Sequence, residues 1–563
     1  MRSIPACVGC EAVDQAVLEI RNLTVDLPSW ADRPQAVSDV SLSLMQGEIL
    51  CVVGESGSGK SVMSRAVMGL LPAPHVRASV GQILLQGEDL LEASPARMRD
   101  IRSKSISMIF QEPMTALNPV MTIGKQIEEV LKVHTPATKA ERLRQMTDML
   151  AAVGLPEPAK LLRSFPHQLS GGQRQRAMIA MALILEPLVL IADEPTTALD
   201  VTTQAQILAL IKETQAKRSM GVLFITHDFG VVAEIADRVA VMQQGKLVEF
   251  GEAERVLNDP RHPYTQDLIA AVPRLIPKAR KPPDENAPAI LSITNLDKEY
   301  RSGGGLFGRD SRIVYAAKAV NLQVRRGETL GIVGESGSGK STVARCITRL
   351  IDSDAGEILL DKVDLRPLTR KQLRPYRERI QMVFQDPYGS LDPRCTVGRL
   401  ISEGPMIHGL EQTKALARTH ELLELVGLDR RAADRYPHEF SGGQRQRIGI
   451  ARALAMRPEV LVADEPVSAL DVSVQAQVLQ LLSDIRDRFN LAMLFITHDL
   501  RVAAQVCDRI AVMRLGEIVE QGATAEVFAT PRHPYTRELL SAVPGRAWES
   551  RRASLTSNQN RKP

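Results

Sequence analysis

The octet Gly-Glu-Ser-Gly-Ser-Gly-Lys-Ser occurs twice in this chain, and each copy follows a short apolar run. The first copy is Gly54, Glu55, Ser56, Gly57, Ser58, Gly59, Lys60 and Ser61; the second is Gly334, Glu335, Ser336, Gly337, Ser338, Gly339, Lys340 and Ser341. The runs before them, Ile49-Leu50-Cys51-Val52-Val53 and Leu330-Gly331-Ile332-Val333, read as buried strands feeding a glycine-rich turn that opens a helix. A loop in that setting aims backbone N–H groups at triphosphate oxygens, and the helix N-terminus adds partial positive charge. Lys60 and Lys340 then reach the β and γ phosphates, and the Ser61 and Ser341 hydroxyls bind Mg2+. At average composition the bare pattern arises by chance about once per hundred chains of this length. Two identical copies in matching surroundings therefore imply two nucleoside triphosphate sites.

The repeat reaches well beyond the octet. Lys60 pairs with Lys340 at an offset of 340 − 60 = 280, and Gln111 with Gln385 at 385 − 111 = 274. From Ser170/Ser441 onward the offset holds at 441 − 170 = 271, through Asp193/Asp464, Asp200/Asp471, His227/His498 and His262/His533. Early deletions followed by constancy predict tandem homologous domains that differ in their loops. The expected division is an N-terminal arm over 1–16, a first domain over 17–257 and a tail with linker over 258–285. A second domain follows over 286–528, then a matching tail over 529–548 and a polar, disordered end over 549–563. The junction lies in the Pro-, Lys- and acid-rich stretch around 278–288, and the Gly-rich stretch 302–308 reads as a flexible hairpin tip.

Composition bounds the class. A chain of 563 residues is too long for one core, and 44% hydrophobic with 24% charged residues is the balance of a soluble globular protein. A net charge of +4 gives no reason to expect nucleic acid as a partner. The six cysteines (Cys7, Cys10, Cys51, Cys346, Cys395, Cys507) lie far apart except for the first pair, the usage of a reduced, cytosolic protein. Cys7 and Cys10 have no second pair or histidine nearby, so they read as ordinary thiols rather than half a metal site. The best candidate for a membrane span, residues 177–192, contains Glu186 and Pro187 and is too short. Neither a secretory signal nor a lipoprotein box is expected, because no apolar stretch of sufficient length precedes Cys10.

Each half reads as an α/β unit. Apolar runs at 188–192 and 222–225, with 460–463 and 493–496 in the second half, predict parallel strands buried on both faces. Acidic or catalytic-type residues follow each run at once, where an open α/β sheet places its ligand crevice. Leu169-Ser170-Gly171-Gly172-Gln173-Arg174-Gln175-Arg176 and Phe440-Ser441-Gly442-Gly443-Gln444-Arg445-Gln446-Arg447 resemble the signature of ABC-type ATPases. Ile191-Ala192-Asp193-Glu194-Pro195 and Val462-Ala463-Asp464-Glu465-Pro466 resemble their Walker B segment. Ala198-Leu199-Asp200 and Ala469-Leu470-Asp471 match their D-loop, and Ile225-Thr226-His227-Asp228 and Ile496-Thr497-His498-Asp499 their switch histidine. The resemblance covers about residue 17 to about residue 545. It implies two tandem P-loop ABC-type ATPase domains, each a RecA-like α/β core with an antiparallel β subdomain and a helical signature subdomain.

By that resemblance the chain binds ATP and Mg2+. A transferring γ-phosphoryl group needs positioning and charge neutralisation more than covalent help. Asp193 and Asp464 would hold the Mg2+ shell with Ser61, Gln111, Ser341 and Gln385. Glu194 and Glu465 would polarise the attacking water, and His227 and His498 would hold it in line with the γ-phosphate. The resemblance further implies that each signature completes the ATP site of the opposite domain. Ser441, Gly442, Gly443 and Gln444 would join the site of Lys60, and Ser170, Gly171, Gly172 and Gln173 that of Lys340. ATP then joins the halves, and hydrolysis releases them. Tyr300 fits the position where the family stacks adenine. The matching first-half residue is Leu27, so either Trp30 substitutes or that site holds adenine less tightly. His167 and His438 lack metal-ligand companions and read as structural.

Two further strings narrow the branch. After each of Gln111 and Gln385 stands an unusual segment, Glu112-Pro113-Met114-Thr115-Ala116-Leu117-Asn118-Pro119 or Asp386-Pro387-Tyr388-Gly389-Ser390-Leu391-Asp392-Pro393. After each core comes Pro260-Arg261-His262-Pro263-Tyr264-Thr265 or Pro531-Arg532-His533-Pro534-Tyr535-Thr536, whose recurrence argues for a shared docking or packing role. Both resemble the ATPases of dipeptide, oligopeptide and nickel importers, in the form that fuses two ATPase domains. The implied partners are two inner-membrane permease subunits and, through them, a solute-binding protein, with the chain peripheral on the cytoplasmic face and one copy per transporter. Peptides or glutathione are the expected cargo, with a nickel chelate or another small solute as the alternative. A soluble twin-ATPase acting on ribosomes or DNA is disfavoured by the short Pro-rich linker and the lack of a cysteine cluster before the signature. An exporter is disfavoured by the importer strings.

Overall fold

The computed structural model describes residues 16–112, 116–196, 199–278, 287–302, 312–386, 388–468 and 470–559. The arm over 1–15 with Cys7 and Cys10, most of the Gly-rich stretch and much of the linker lie outside the described residues, as do Ala198 and Ala469. The chain divides into two compact units, the first reaching Ala270 and the second running from Ala271, with residues 200–202 counted in the second.

The strands of the first unit are β1 (Ala16–Asp26), β2 (Gln35–Met45), β3 (Ile49–Val53), β4 (Arg77–Leu85), β5 (Glu88–Asp89), β6 (Ile106–Ile109), β7 (Val189–Asp193), β8 (Gly221–Ile225), β9 (Arg238–Gln243) and β10 (Lys246–Glu252). They form a four-stranded antiparallel sheet, β2-β1-β4-β5, and a six-stranded sheet, β10-β9-β3-β8-β7-β6. In the larger sheet β6, β7, β8, β3 and β9 run parallel, and β10 closes the edge antiparallel to β9. The central runs β3, β7 and β8 are buried at every position, as continuous apolar strands covered on both faces must be. Leu18 and Ile20 of the small sheet share one core with Leu50, Val52, Ile191 and Ile225 of the large sheet and with Met63 of the helix Lys60–Val67. Helices Ile123–His134, Lys139–Ala152 and Gly171–Leu183 form the helical part of the unit.

The second unit repeats this plan. Its strands are β11 (Ala289–Ser302), β12 (Arg312–Arg325), β13 (Thr329–Val333), β14 (Ala355–Leu360), β15 (Val363–Asp364), β16 (Ile380–Val383), β17 (Val460–Asp464), β18 (Ala492–Thr497), β19 (Arg509–Arg514) and β20 (Glu517–Ala523). The sheets are β12-β11-β14-β15 and β16-β17-β18-β13-β19-β20. β11 and β12 pair antiparallel up to Ser302 and Arg312; the expected hairpin tip lies outside the described residues. The expected α/β core, antiparallel subdomain and helical subdomain are all present in both units.

Two expectations about the tails need correction. Residues 271–278 belong to the second unit rather than to a free linker: Gln505 Nε2 donates to the carbonyls of Arg274 (2.7 Å) and Ile276 (3.0 Å). The end expected to be disordered from 549 forms the helix Arg546–Gln559. Trp548 is buried, and the Glu549 carboxylate accepts the Leu275 N–H at 2.8 Å and pairs with Arg501 Nε at 3.3 Å. Composition marks this segment as polar, but these tertiary contacts offset the entropy of ordering it.

Cys51 and Cys346 lie in the buried elements on either side of the nucleotide-type loops. Burial pushes the Cys346 thiol up to about 11 and raises Cys51 further. Both thiols should therefore resist iodoacetamide at pH 8 in the native chain and react once guanidinium unfolds it. Peptide mass spectrometry after alkylation reads the outcome.

Candidate functional site

Four adjacent strands of each large sheet deliver the expected residues at their carboxyl ends, where an open α/β sheet forms its crevice. In the first unit β6 leads to Gln111, β7 ends at Asp193 before Glu194, β8 leads to His227, and β3 enters the loop 54–59. In the second unit β16, β17, β18 and β13 do the same for Gln385, Asp464 with Glu465, His498 and the loop 334–339.

Glycine is required in each loop because the backbone is pressed against neighbouring strands. Gly54 has φ +150°, and a Cβ there would lie 2.2 Å from the Met242 carbonyl oxygen; at Gly59 (φ +103°) it would meet Ala36 O at 2.4 Å. Gly334 and Gly339 are confined in the same way, at 2.2 Å from Met513 O and 1.9 Å from Ala316 O. Inside the loop the buried Lys60 ammonium donates to Gly54 O (2.8 Å), Glu55 O (2.8 Å) and Ser58 Oγ (3.2 Å). Lys340 repeats this with Gly334 O (2.8 Å), Glu335 O (2.7 Å) and Ser338 Oγ (3.5 Å). Burial holds Lys340 below its usual value, against the pull of Glu465 and Asp464.

Beside the lysine, Ser61 Oγ donates to Asp193 at 3.0 Å and Ser341 Oγ to Asp464 at 2.9 Å. Burial is the main cause that pushes the Asp193 carboxyl up to about 6, and the neighbouring Glu194 charge adds to it while the Ser61 hydrogen bond opposes. Asp464 is raised for the same reasons. Glu194 and Glu465 occupy the left-handed region, at φ 48° and 45°, and their N–H groups donate to Ile225 O (3.0 Å) and Ile496 O (2.9 Å). Such a backbone costs on the order of 1 kcal/mol for a non-glycine residue. The Glu194 carboxylate lies between Gln111 Nε2 (3.0 Å) and His227 Nδ1 (3.4 Å), and Glu465 between Gln385 Nε2 (2.8 Å) and His498 Nδ1 (3.1 Å). Burial opposes charge on both members of the Glu465–His498 pair. Their mutual hydrogen bond and attraction outweigh it, holding Glu465 below and His498 above the ordinary values.

The signature serines are helix caps. Ser170 Oγ accepts from Gln173 N (3.3 Å) while Gln173 Oε1 accepts from Ser170 N (3.1 Å); Ser441 and Gln444 do the same at 3.4 and 3.0 Å. The 13-residue helices Gly171–Leu183 and Gly442–Leu454 start there, so each signature sits at a positive helix end. Gln175 Nε2 donates to Pro195 O at 2.6 Å, tying the first signature helix to the segment after Glu194. His167 stacks on Phe165 (ring centroids 5.6 Å) and His438 on Tyr436 (5.7 Å), the structural use expected of them. Buried Gln126 secures the segment after Gln111 by accepting from Asn118 N (2.9 Å) and donating to Asn118 O (3.1 Å). Pro113, Met114, Thr115 and Pro387 lie outside the described residues.

Of the adenine candidates, Tyr300 is on β11, 45% exposed, with Lys298 Nζ 5.7 Å from its ring centre. Trp30 is 74% exposed and meets His75 edge-on at 5.3 Å. Sequence reasoning missed one contact of the loops: the Tyr264 hydroxyl accepts Glu55 N–H at 3.1 Å, and the Tyr535 hydroxyl accepts Glu335 N–H at 3.3 Å. The signal was the recurrence of His-Pro-Tyr-Thr, read only as docking or packing.

Two loops of this geometry, each beside an acidic strand end and a histidine on one parallel sheet, define a twin P-loop ATPase. The ABC transporter family model matches residues 37–197 and 317–468, and the model of the oligopeptide/dipeptide transporter C-terminal region matches 248–301 and 519–562. The chain belongs to the ABC transporter family as an ATP-binding, ATP-hydrolysing member. The glutathione import ATP-binding protein GsiA of Salmonella choleraesuis (strain SC-B67) is 50% identical over 557 residues, 94% of this chain and 89% of that one. The protein of the same name from Escherichia coli O157:H7 is 49% identical with the same coverage. A dimeric ATP-binding cassette solved in a post-hydrolysis state with ADP and Pi is 32% identical, covering 42% of this chain and 98% of its own, with a TM-score of 0.38.

The raised Asp193 carboxyl makes a stability prediction. A value of about 6, above the ordinary value near 3.9, contributes stability that is complete below about pH 4 and lost as pH rises through about 6. Asp193→Asn keeps an acceptor for Ser61 and removes the like charge. It should be more stable than the native chain at pH 7.5, by about 1–3 kcal/mol of unfolding free energy and so with a higher Tm, the gap narrowing towards pH 5. Scanning calorimetry across that range checks it.

Proposed function

We propose that this chain is the energy-coupling ATPase of an importer for glutathione or short peptides, with both of its nucleotide sites competent. The observation that carries the catalytic part is the duplicated cluster of Gln111, Glu194 and His227, and of Gln385, Glu465 and His498, beside Lys60 and Lys340. The importer part rests on similarity to the glutathione import ATP-binding proteins over 94% of the chain and on the twice-matched oligopeptide/dipeptide transporter C-terminal region.

Lys60 and Lys340 exchange their loop carbonyls for β- and γ-phosphate oxygens of ATP, while the loop N–H groups cradle the rest. Glu194 and Glu465 accept a hydrogen bond from the attacking water, and His227 and His498 orient it. The paired oxygen donors Ser61 with Asp193, and Ser341 with Asp464, suit a hard divalent cation, with Gln111 and Gln385 at hand to complete the set. Mg2+ bound there would neutralise charge on the β and γ phosphates. Tyr300 would stack adenine in the second half. ATP draws the two halves together through the signatures and hydrolysis releases them, the cycle the family resemblance implies. Inverting such an equilibrium from 1:99 to 99:1 takes about 5.5 kcal/mol, within reach of several charge-assisted hydrogen bonds at roughly 1.5–3 kcal/mol each.

No helix among the described residues is long and apolar enough to cross a membrane, so the substrate path lies in partners. These would be two permease subunits, docking at the helical segments that follow Gln111 and Gln385, and a solute-binding protein beyond them. The chain would work as a peripheral protein on the cytoplasmic face of the inner membrane.

Glu194→Gln and Glu465→Gln should each lower ATP turnover to half or less, and the pair should abolish it, in a phosphate-release assay. Full turnover from either single variant contradicts two competent sites. The chain should sediment with membranes only when its permeases are co-expressed; equal sedimentation without them refutes the docking.

A further inference from the structure

One peptide unit in each nucleotide loop is gripped from both sides. The Gly54 carbonyl accepts from Lys60 Nζ at 2.8 Å, and the N–H of the same peptide, on Glu55, donates to the Tyr264 hydroxyl at 3.1 Å. In the second unit Gly334 O accepts from Lys340 Nζ at 2.8 Å and Glu335 N–H donates to the Tyr535 hydroxyl at 3.3 Å. The two tyrosines stand at one offset, 535 − 264 = 271, in the His-Pro-Tyr-Thr segments.

The tail is shaped to present this hydroxyl. Glu249 accepts the N–H groups of Arg261 (3.0 Å) and His262 (3.1 Å), and His262 Nδ1 accepts Tyr264 N–H at 3.2 Å, capping the helix Pro263–Ala271. Glu520 does the same for Arg532 (2.7 Å) and His533 (3.0 Å), and His533 Nδ1 accepts Tyr535 N–H at 3.2 Å. The Tyr535 ring is buried beneath the Arg514 guanidinium, 4.7 Å from its centre. Burial keeps that hydroxyl neutral well above physiological pH.

We propose that Tyr264 and Tyr535 are positioning residues for the phosphate-binding lysines, supplied by the C-terminal region that the oligopeptide/dipeptide model matches. By fixing the N–H of the Gly–Glu peptide, each tyrosine steadies one of the two carbonyls that hold the lysine before ATP arrives. Without the hydroxyl that peptide loses its grip on the N–H side, and one of the lysine's three acceptors is held less firmly. Bound phosphate restores the lysine's position, so the defect falls on binding rather than on the bound complex. The tail thereby sets nucleotide affinity. The inference rests on reading the loops as ATP sites.

The test isolates one site at a time in the full chain. Lys340→Ala leaves the first site, and Lys60→Ala the second; binding of a fluorescent ATP analogue and steady-state hydrolysis are measured on each background. If either lysine variant leaves analogue stoichiometry unchanged, the ATP-site reading itself fails. Given loss of one site, Tyr264→Phe or Tyr535→Phe should weaken analogue binding and raise the ATP KM about five- to tenfold, with kcat within about twofold and Tm unchanged. Gln266→Ala disturbs the same tail by removing a 2.9 Å hydrogen bond to Pro260 O, and should leave KM unchanged. An unchanged KM in both tyrosine variants, or an equal rise in Gln266→Ala, overturns the proposal. Should the phenylalanine variants not fold, hydrogen exchange on the native apo chain decides. The Glu55 and Glu335 amides should be protected before ATP is added, and exchange at unprotected rates overturns the proposal.

Discussion

The close approach of the nucleotide loop to its neighbouring strands governs both halves of this molecule. Carbonyl oxygens of Met242 and Ala36 stand 2.2 and 2.4 Å from where side chains of residues 54 and 59 would begin, so the backbone occupies the space a Cβ would need. That approach coils the chain tightly around a lysine that would otherwise be a buried charge without solvation. Loop carbonyls and a serine hydroxyl replace its water. The site is thus built around a cation before its anionic ligand arrives, which is what electrostatic preorganisation requires.

The acidic side of the site is arranged by opposite means. Asp193 and Glu194 are consecutive carboxylates at the end of a buried strand; burial above all, with the neighbouring Glu194 charge adding to it, raises Asp193 to about 6. The left-handed turn at Glu194 separates their roles, leaving Asp193 with Ser61 and giving Glu194 to Gln111 and His227. The second half solves the same problem with the same geometry, and there the Glu465–His498 contact favours the charged form of each partner. Stability is spent here for a cluster that becomes complementary only when phosphate and a cation are present.

Much of this was legible beforehand because it depends on short-range rules. Apolar runs of four or five residues followed at once by polar side chains gave β3, β7, β8, β13, β17 and β18 within a residue or two. The capping boxes of the signature helices went unread, although Ser-x-x-Gln is a local signal for them. The tail was less legible. Its last segment carries few apolar residues, and its helix depends on Trp548 and Glu549 meeting partners remote in the chain, which no local pattern encodes. Likewise the Arg274 and Ile276 carbonyls, in the segment expected to link the two domains, are held by Gln505, a partner remote in the chain.

The amino-acid sequence by itself determined that this is a duplicated ATP-binding cassette, since glycine, lysine and acidic residues at those spacings satisfy one demanding chemistry. Only the tertiary structure decided that the hydroxyls of Tyr264 and Tyr535 touch the loops 209 and 200 residues away. A recurring segment can reveal that it matters, but a hydrogen bond between distant residues exists only once folding has brought donor and acceptor within about 3 Å.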